Sequence, residues 1–240
     1  MKATPSLFLM FLLATPLAFG DMMSDLVEKA GKGELDAQIQ LAELYSRGEA
    51  VAKDDAAAVL WLTKAAEQGD AGAQFKLGQR QLKGEGTTKN AKTGIEWLTK
   101  AAEQGNGDAQ MALGGIYIAG KGVLKNSTEA AKWFMMSAQT GNPAAECQIG
   151  RMHMTGAGVA KDDVEAYKWA RLASADGDAA AKKMVFVLEQ RMAPGDVVEG
   201  QVRFQDFQEQ KKAGQTLGAP PAEPAEPVVP VEPLAPIEPE

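Results

Sequence analysis

The chain has 240 residues, 45% of them apolar, and a formal net charge of −7 at pH 7. A single histidine and a single cysteine exclude a cysteine–histidine zinc set, an internal disulfide framework and any Ser-His-Asp arrangement that does not use His153. The acidic balance, without a basic stripe, excludes a nucleic-acid footprint or a lysine-rich membrane face.

Residues 1–20 read as a secretory signal peptide. Lys2 is their only charge, an apolar run follows from Leu7 to Leu13, and Ala18-Phe19-Gly20 closes the segment before Asp21. Removal is expected after Gly20. The run is shorter than the ~20 residues a spanning helix needs, and Pro16 would break it. Asp21, not a cysteine, follows the segment, so no lipid anchor is expected and the mature protein belongs in the periplasm or the medium. Losing Lys2 brings the charge to −8; setting aside the five glutamates of residues 219–240 leaves the body at about −3.

Asp25 to Lys32 matches the end of a second helix of the units that follow, so residues 21–32 form an N-terminal half-unit lid. From there a period of 36 residues governs the chain. Trp61, Trp97, Trp133 and Trp169 keep that step, and so do Gly33, Gly69, Gly105, Gly141 and Gly177. Such a period signals a solenoid of stacked units, each unable to bury its apolar face alone. The units are residues 33–68, 69–104, 105–140 and 141–176.

Within each unit, alanine follows the opening glycine by four residues: Ala37, Ala73, Ala109, Ala145. Leu41, Leu77, Leu113 and Ile149 come at eight, and the small Ala42, Gly78, Gly114 and Gly150 at nine. This spacing puts an apolar and a small residue on one face of a first helix. Gly48, Gly84, Gly120 and Gly156 stop that helix. Asp54, Asn90, Asn126 and Asp162 then cap a second helix, and Glu129 and Glu165 complete capping boxes. The second helix carries the tryptophans at helical spacing from alanines, as core wedges. Cys147 reads as a small buried residue and His153 as a packing residue.

The pattern G-x3-A-x3-L-G/A-x2-Y-x2-G-x-G-V-x2-D/N-x3-A-x2-W-x3-A-A-x2-G resembles the Sel-one-like repeat, a relative of the tetratricopeptide repeat; residues 105–140 match it nearly throughout. The resemblance implies antiparallel helix pairs stacked into an all-α, right-handed superhelix. It also implies a surface for protein partners, often in bacterial envelopes. Disulfide-rich relatives bind β-lactams, and this chain departs from them in having no cysteine pair.

The resemblance implies that first helices line a concave side. Off-core positions there are Gln38, Gln74, Gln110 and Glu146 at five residues after the glycine, with Phe75 at six and Leu82 and Ile118 at thirteen. An amide ladder beside an apolar stripe would grip a peptide; the alternative is that the apolar members pack within or between units.

Residues 177–218 form a degenerate repeat and a capping helix. Ala181 and Val185 keep the phase, the tryptophan position becomes Gln205, and Val197 to Lys212 is a final helix that closes the apolar edge. In residues 219–240 proline recurs every third residue from Pro221 to Pro239, the step of a polyproline II helix. Ala222, Ala225, Val228, Val231, Leu234 and Ile237 share a second edge, and glutamates hold most of the third. Such a segment is a spacer, a strip for a separate groove, or a disordered tail with no partner.

The sequence contains no phosphate loop, no H-E-x-x-H and no G-x-S-x-G; Lys92-Thr93-Gly94 lies inside a second helix with no S-x-x-K beside it. The reading is an exported, non-catalytic scaffold that needs no cofactor or metal and binds a protein or peptide of the cell envelope. The alternative is an envelope protein or enzyme that takes cell-wall fragments or β-lactams.

Overall fold

A computed structural model describes residues 16–48 and 51–213. Most of the signal segment and all of the proline-rich segment lie outside the described residues. Eleven helices and no strand occupy the described part. They are α1 (Pro16–Gly31), α2 (Leu35–Arg47), α3 (Asp55–Glu67), α4 (Ala71–Lys83), α5 (Ala91–Glu103), α6 (Gly107–Ala119), α7 (Ser127–Gln139), α8 (Pro143–Thr155), α9 (Asp163–Ala175), α10 (Ala179–Arg191) and α11 (Pro194–Lys212). From α1 to α10 consecutive helices pack on one another, the arrangement of an α/α solenoid.

The 36-residue step reappears in the hydrogen bonds. Asp54, Asn90, Asn126 and Asp162 cap α3, α5, α7 and α9, each accepting first-turn N–H groups on its side chain. The backbone N–H of the same four residues donates to Tyr45, Gln81, Tyr117 and His153, at 2.8–3.0 Å. That bond closes the link between the helices of a pair, and it also corrects the expected capping boxes. A capping-box glutamate must accept the N-cap N–H, and here a carbonyl has taken it. Glu129 pairs with Lys132 instead, and Glu165 with Lys168 and Arg203.

A second series of caps carries no expectation from the sequence reading. Asp70, Asn106, Asn142 and Asp178 accept from the first turns of α4, α6, α8 and α10, each one residue after an opening glycine. The first helices end at glycines in the left-handed region, with φ of 68–80°. Side chains with a Cβ pay a steric penalty in that region.

Five apolar clusters follow the chain in file. Their centres are Leu41, Leu77, Leu113 and Ile149 on the first helices and Leu62, Leu98, Phe134 and Ala170 on the second, all buried. The tryptophans precede these second-helix positions by one residue, and only Trp169 is fully buried. Trp61, Trp97 and Trp133 are half-buried, flanking the clusters. The amines of Lys64 and Lys100 lie 4.3 and 4.2 Å over the rings of Trp61 and Trp97, covering their outer faces. The core-wedge expectation therefore holds for Trp169 alone. The large ring is at the border because the alanines and the following Leu or Phe already fill the interior.

The end of the chain departs from the sequence reading. α11 packs on α9 rather than closing the outer face of α10. Gly200 lies on the Tyr167 ring, and Phe207 meets Trp169 edge-on at 5.1 Å between centroids. Arg203 bonds Glu165 at 2.8 Å and Glu199 at 2.5 Å. Burial works against ionisation of Glu165, but Lys168 and Arg203 together hold its carboxyl below the ordinary range.

Candidate partner-binding face

The amide ladder expected on a peptide-binding face lies inside the structure. Gln38, Gln74 and Gln110 are 3%, 5% and 2% exposed. Their Nε2 groups donate to the carbonyls of Ala30, Ala66 and Ala102, eight residues earlier, at 2.9–3.1 Å. Each glutamine thus ties a first helix to the end of the helix before it. Two of them also accept across their own unit: Gln38 from Gln68 at 2.8 Å and Gln74 from Gln104 at 2.7 Å. The amides of Gln38 and Gln74 are satisfied by the protein, whereas the Gln110 Oε1 is buried with no hydrogen-bond partner among the described residues; burial closes all three to a partner.

Glu146, the fourth member, is fully buried, and neither carboxyl oxygen has a hydrogen-bond partner among the described residues. Desolvation pushes its carboxyl up to about 7, Lys211 works in the opposite sense, and Asp176 adds to the rise.

The apolar members are half-buried and also face inward. Phe75 and Leu82 pack on the cluster around Leu98 and Leu113, and Leu82 reaches the backbone at Gly94. Ile118 packs on the cluster around Phe134 and Ile149. All seven residues expected at the groove are therefore drawn into packing within or between units. The five- and six-residue offsets fall beside the core stripe, and stacking covers that flank.

An open site exists one row further round the first helices. A cavity of about 270 Å³ lies between α2 and α4, lined by Ala42, Glu43, Ser46, Arg47, Leu62, Lys76, Gln79, Arg80 and Glu85. Lys76 bonds Glu43 across the two helices at 2.7 Å. Arg80 reaches Asp55 at 3.0 Å and Ser46 as well, tying α2 and α4 to the start of α3. The Arg80 bond, followed by that from Lys53, holds the Asp55 carboxyl below its usual range. Arg80 is thus a structural clamp, with a side chain only 11% exposed. Arg47 and Glu85 are exposed, and Gln79, half-buried, lines the cavity. The signal that could have found this site was the polar run Lys76, Gln79, Arg80 and Lys83 on the flank of α4 beside Ala73 and Leu77.

Cys147 is half-buried rather than fully buried; desolvation, with Asp178 beside it, raises its thiol above the usual range. His153 is half-buried, its Nδ1 3.3 Å from the Ala160 carbonyl. Among the described residues no cluster of His, Cys, Asp and Glu could hold a metal ion, and no helix is long and apolar enough to cross a membrane.

The geometry of paired helices in a 36-residue stack defines a class, the α/α repeat solenoids. Residues 35–70, 71–106, 107–142 and 143–178 each match the model of the Sel1 repeat, and the chain belongs to the Sel1 repeat family. The matched windows start two residues later than the glycine frame. Among solved structures, a protective antigen present in uropathogenic Escherichia coli strains, with an SLR fold, is similar at 33% identity and a TM-score of 0.69. That likeness covers 88% of this chain and 46% of the antigen. A Sel1 repeat protein from Oxalobacter formigenes is similar at 33% identity and a TM-score of 0.64, over 68% of this chain and 47% of its own. The chain spans about half the length of these two proteins. A search of curated proteins finds no match. Sel1 repeat proteins generally act as scaffolds that mediate protein–protein interaction.

Proposed function

We propose that this chain is an exported scaffold that holds an extended peptide segment of a cell-envelope protein on the face made by its first helices. The observation that carries this reading is the cavity between α2 and α4, where Arg47, Glu85 and the Glu43–Lys76 pair surround Gln79 and the apolar floor of Ala42 and Leu62. An extended peptide offers backbone N–H and C=O groups to a side-chain amide, and its alternate side chains suit a small apolar floor with mixed charge at the rim. Export is supported by the layout of residues 1–20. Removal after Gly20 would leave Met23 and Leu26 of α1 packed on the first cluster.

Two experiments test this. A photo-crosslinking residue in place of Gln79 should trap one envelope protein, and Arg47→Glu with Lys76→Glu should abolish the trapping while circular dichroism stays unchanged. Equal trapping by the charge-reversed protein rejects the groove. N-terminal sequencing of the protein from a periplasmic fraction should begin at Asp21; an intact Met1 rejects export by this route.

A further inference from the structure

In each complete unit the small residue nine positions after the opening glycine is where the second helix of that unit comes closest. A Cβ on Gly78 would lie 2.8 Å from the Gly94 carbonyl oxygen, and one on Gly114 would lie 2.5 Å from the Phe134 ring. In the fifth phase this position is Phe186. A phenyl ring is too large for the close approach that the small residue allows in the complete units, and here α11 lies on α9. Phe186 is left 63% exposed and Val187 47% exposed at the end of the solenoid. Uncovered apolar surface at such an end invites another segment.

The same face of α10 begins with two cations, and the acid one turn beyond Phe186, Glu189, accepts from the Tyr167 hydroxyl at 2.9 Å. Lys182 stands one turn before Phe186 and Lys183 one turn before Val187, so two neighbouring rows each carry a cation and then an apolar side chain. Both lysines are exposed. Residues 219–240 have the complementary chemistry: an edge of Val228, Val231, Leu234 and Ile237, another that includes Glu226, Glu232 and Glu238, and no basic residue.

The chain also leaves α11 close to the start of α10. Lys211 crosses directly over Gly141, and both it and Asp176 act on the Glu146 carboxyl, in opposite senses. Three residues after Asp176, α10 begins at Ala179. In polyproline II form the 22 residues of the tail would reach roughly 65 Å, against a length of about 20 Å for α10.

We propose that residues 219–240 dock in cis on the outer face of α10. The Val228–Val231–Leu234 edge covers Phe186 and Val187, and the glutamates face Lys182 and Lys183. An exposed aromatic ring is a recurrent seat for a proline-rich strand, and here the charges fix which strand it takes. The tail thereby closes the end of the solenoid that α11 leaves open. This does not depend on the groove between α2 and α4.

The test uses the full chain with benzoylphenylalanine in place of Leu234, irradiated in dilute solution, with crosslinks mapped by mass spectrometry and mass checked by light scattering. Crosslinks should concentrate on residues 179–191 of the same molecule. Phe186→Glu should lower their yield about tenfold, the equivalent of ~1.4 kcal/mol, and Lys182→Glu with Lys183→Glu should lower it similarly. These side chains are exposed, so the fold should survive, as circular dichroism will show. Crosslinks spread over other helices, no crosslink at all, or crosslinked dimers joined through α10 would each overturn docking in cis.

Discussion

Glu146 and Asp176 stand where the first two units join two glutamines. Gln38 accepts from Gln68 and Gln74 from Gln104 across the same 30-residue step, each a neutral amide pair. In the fourth unit both positions carry carboxyl groups, and Glu146 is fully buried with neither oxygen bonded. Burial first, and then the charge of Asp176, raises the Glu146 carboxyl to about 7 against the pull of Lys211.

A pH dependence follows. Because the folded carboxyl titrates near 7 and the unfolded one near 4.5, the folded state holds the extra proton between those values. Stability should therefore fall as pH rises from about 5 to 7.5 and then level off, by on the order of 2–3 kcal/mol. Glu146→Gln should leave stability at pH 5 nearly unchanged and raise it at pH 8. Urea unfolding at the two pH values measures this; equal effects of the substitution at both would remove the titration.

Asn126 and Glu129 separate a cap from a capping box. Asn126→Ala removes an acceptor for the Glu129 N–H and should cost about 1 kcal/mol. Glu129→Ala should cost only a few tenths, since its side chain makes one exposed pair with Lys132. Denaturant midpoints of the two variants would settle the order, and comparable losses would restore the box.

Gly114→Ala should cost about 1–3 kcal/mol, because its methyl would enter the space of the Phe134 ring. Phe134→Leu, giving the pairing that Ala42 and Leu62 have in the first unit, should recover part of that loss. A double-mutant cycle reads the coupling directly; additive losses would mean the two helices do not meet there.

Indole accessibility gives a further check. Acrylamide should quench Trp61, Trp97 and Trp133 and spare Trp169, which lies under Phe207. Trp169→Phe should therefore remove the protected component of the emission. Uniform protection of all four rings would contradict the half-buried border position.

Much of the fold was legible because the repeat prints the same constraint several times. The glycines that stop the first helices, the Asp and Asn caps of the second helices and the buried Leu41 series all stand where the period puts them. The candidate site was not legible in the same way. Gln38 and Gln74 look like a displayed ladder across successive first helices, and only the carbonyls of Ala30 and Ala66, each from the preceding helix, turn them inward. The groove at Lys76 and Gln79 needed two helices side by side before it existed at all.

What the sequence by itself determined is the unit: its length, its two helices, their caps and the small residues that let them nest. These depend on neighbours within one turn or one hairpin, so a single repeat carries the information. Tertiary structure alone decided which flank of each helix is covered, that α11 returns over α9 through Phe207 and Arg203, and that Phe186 and Val187 are left bare. Burial is a property of two surfaces in contact, and no single helix records which other surface will meet it.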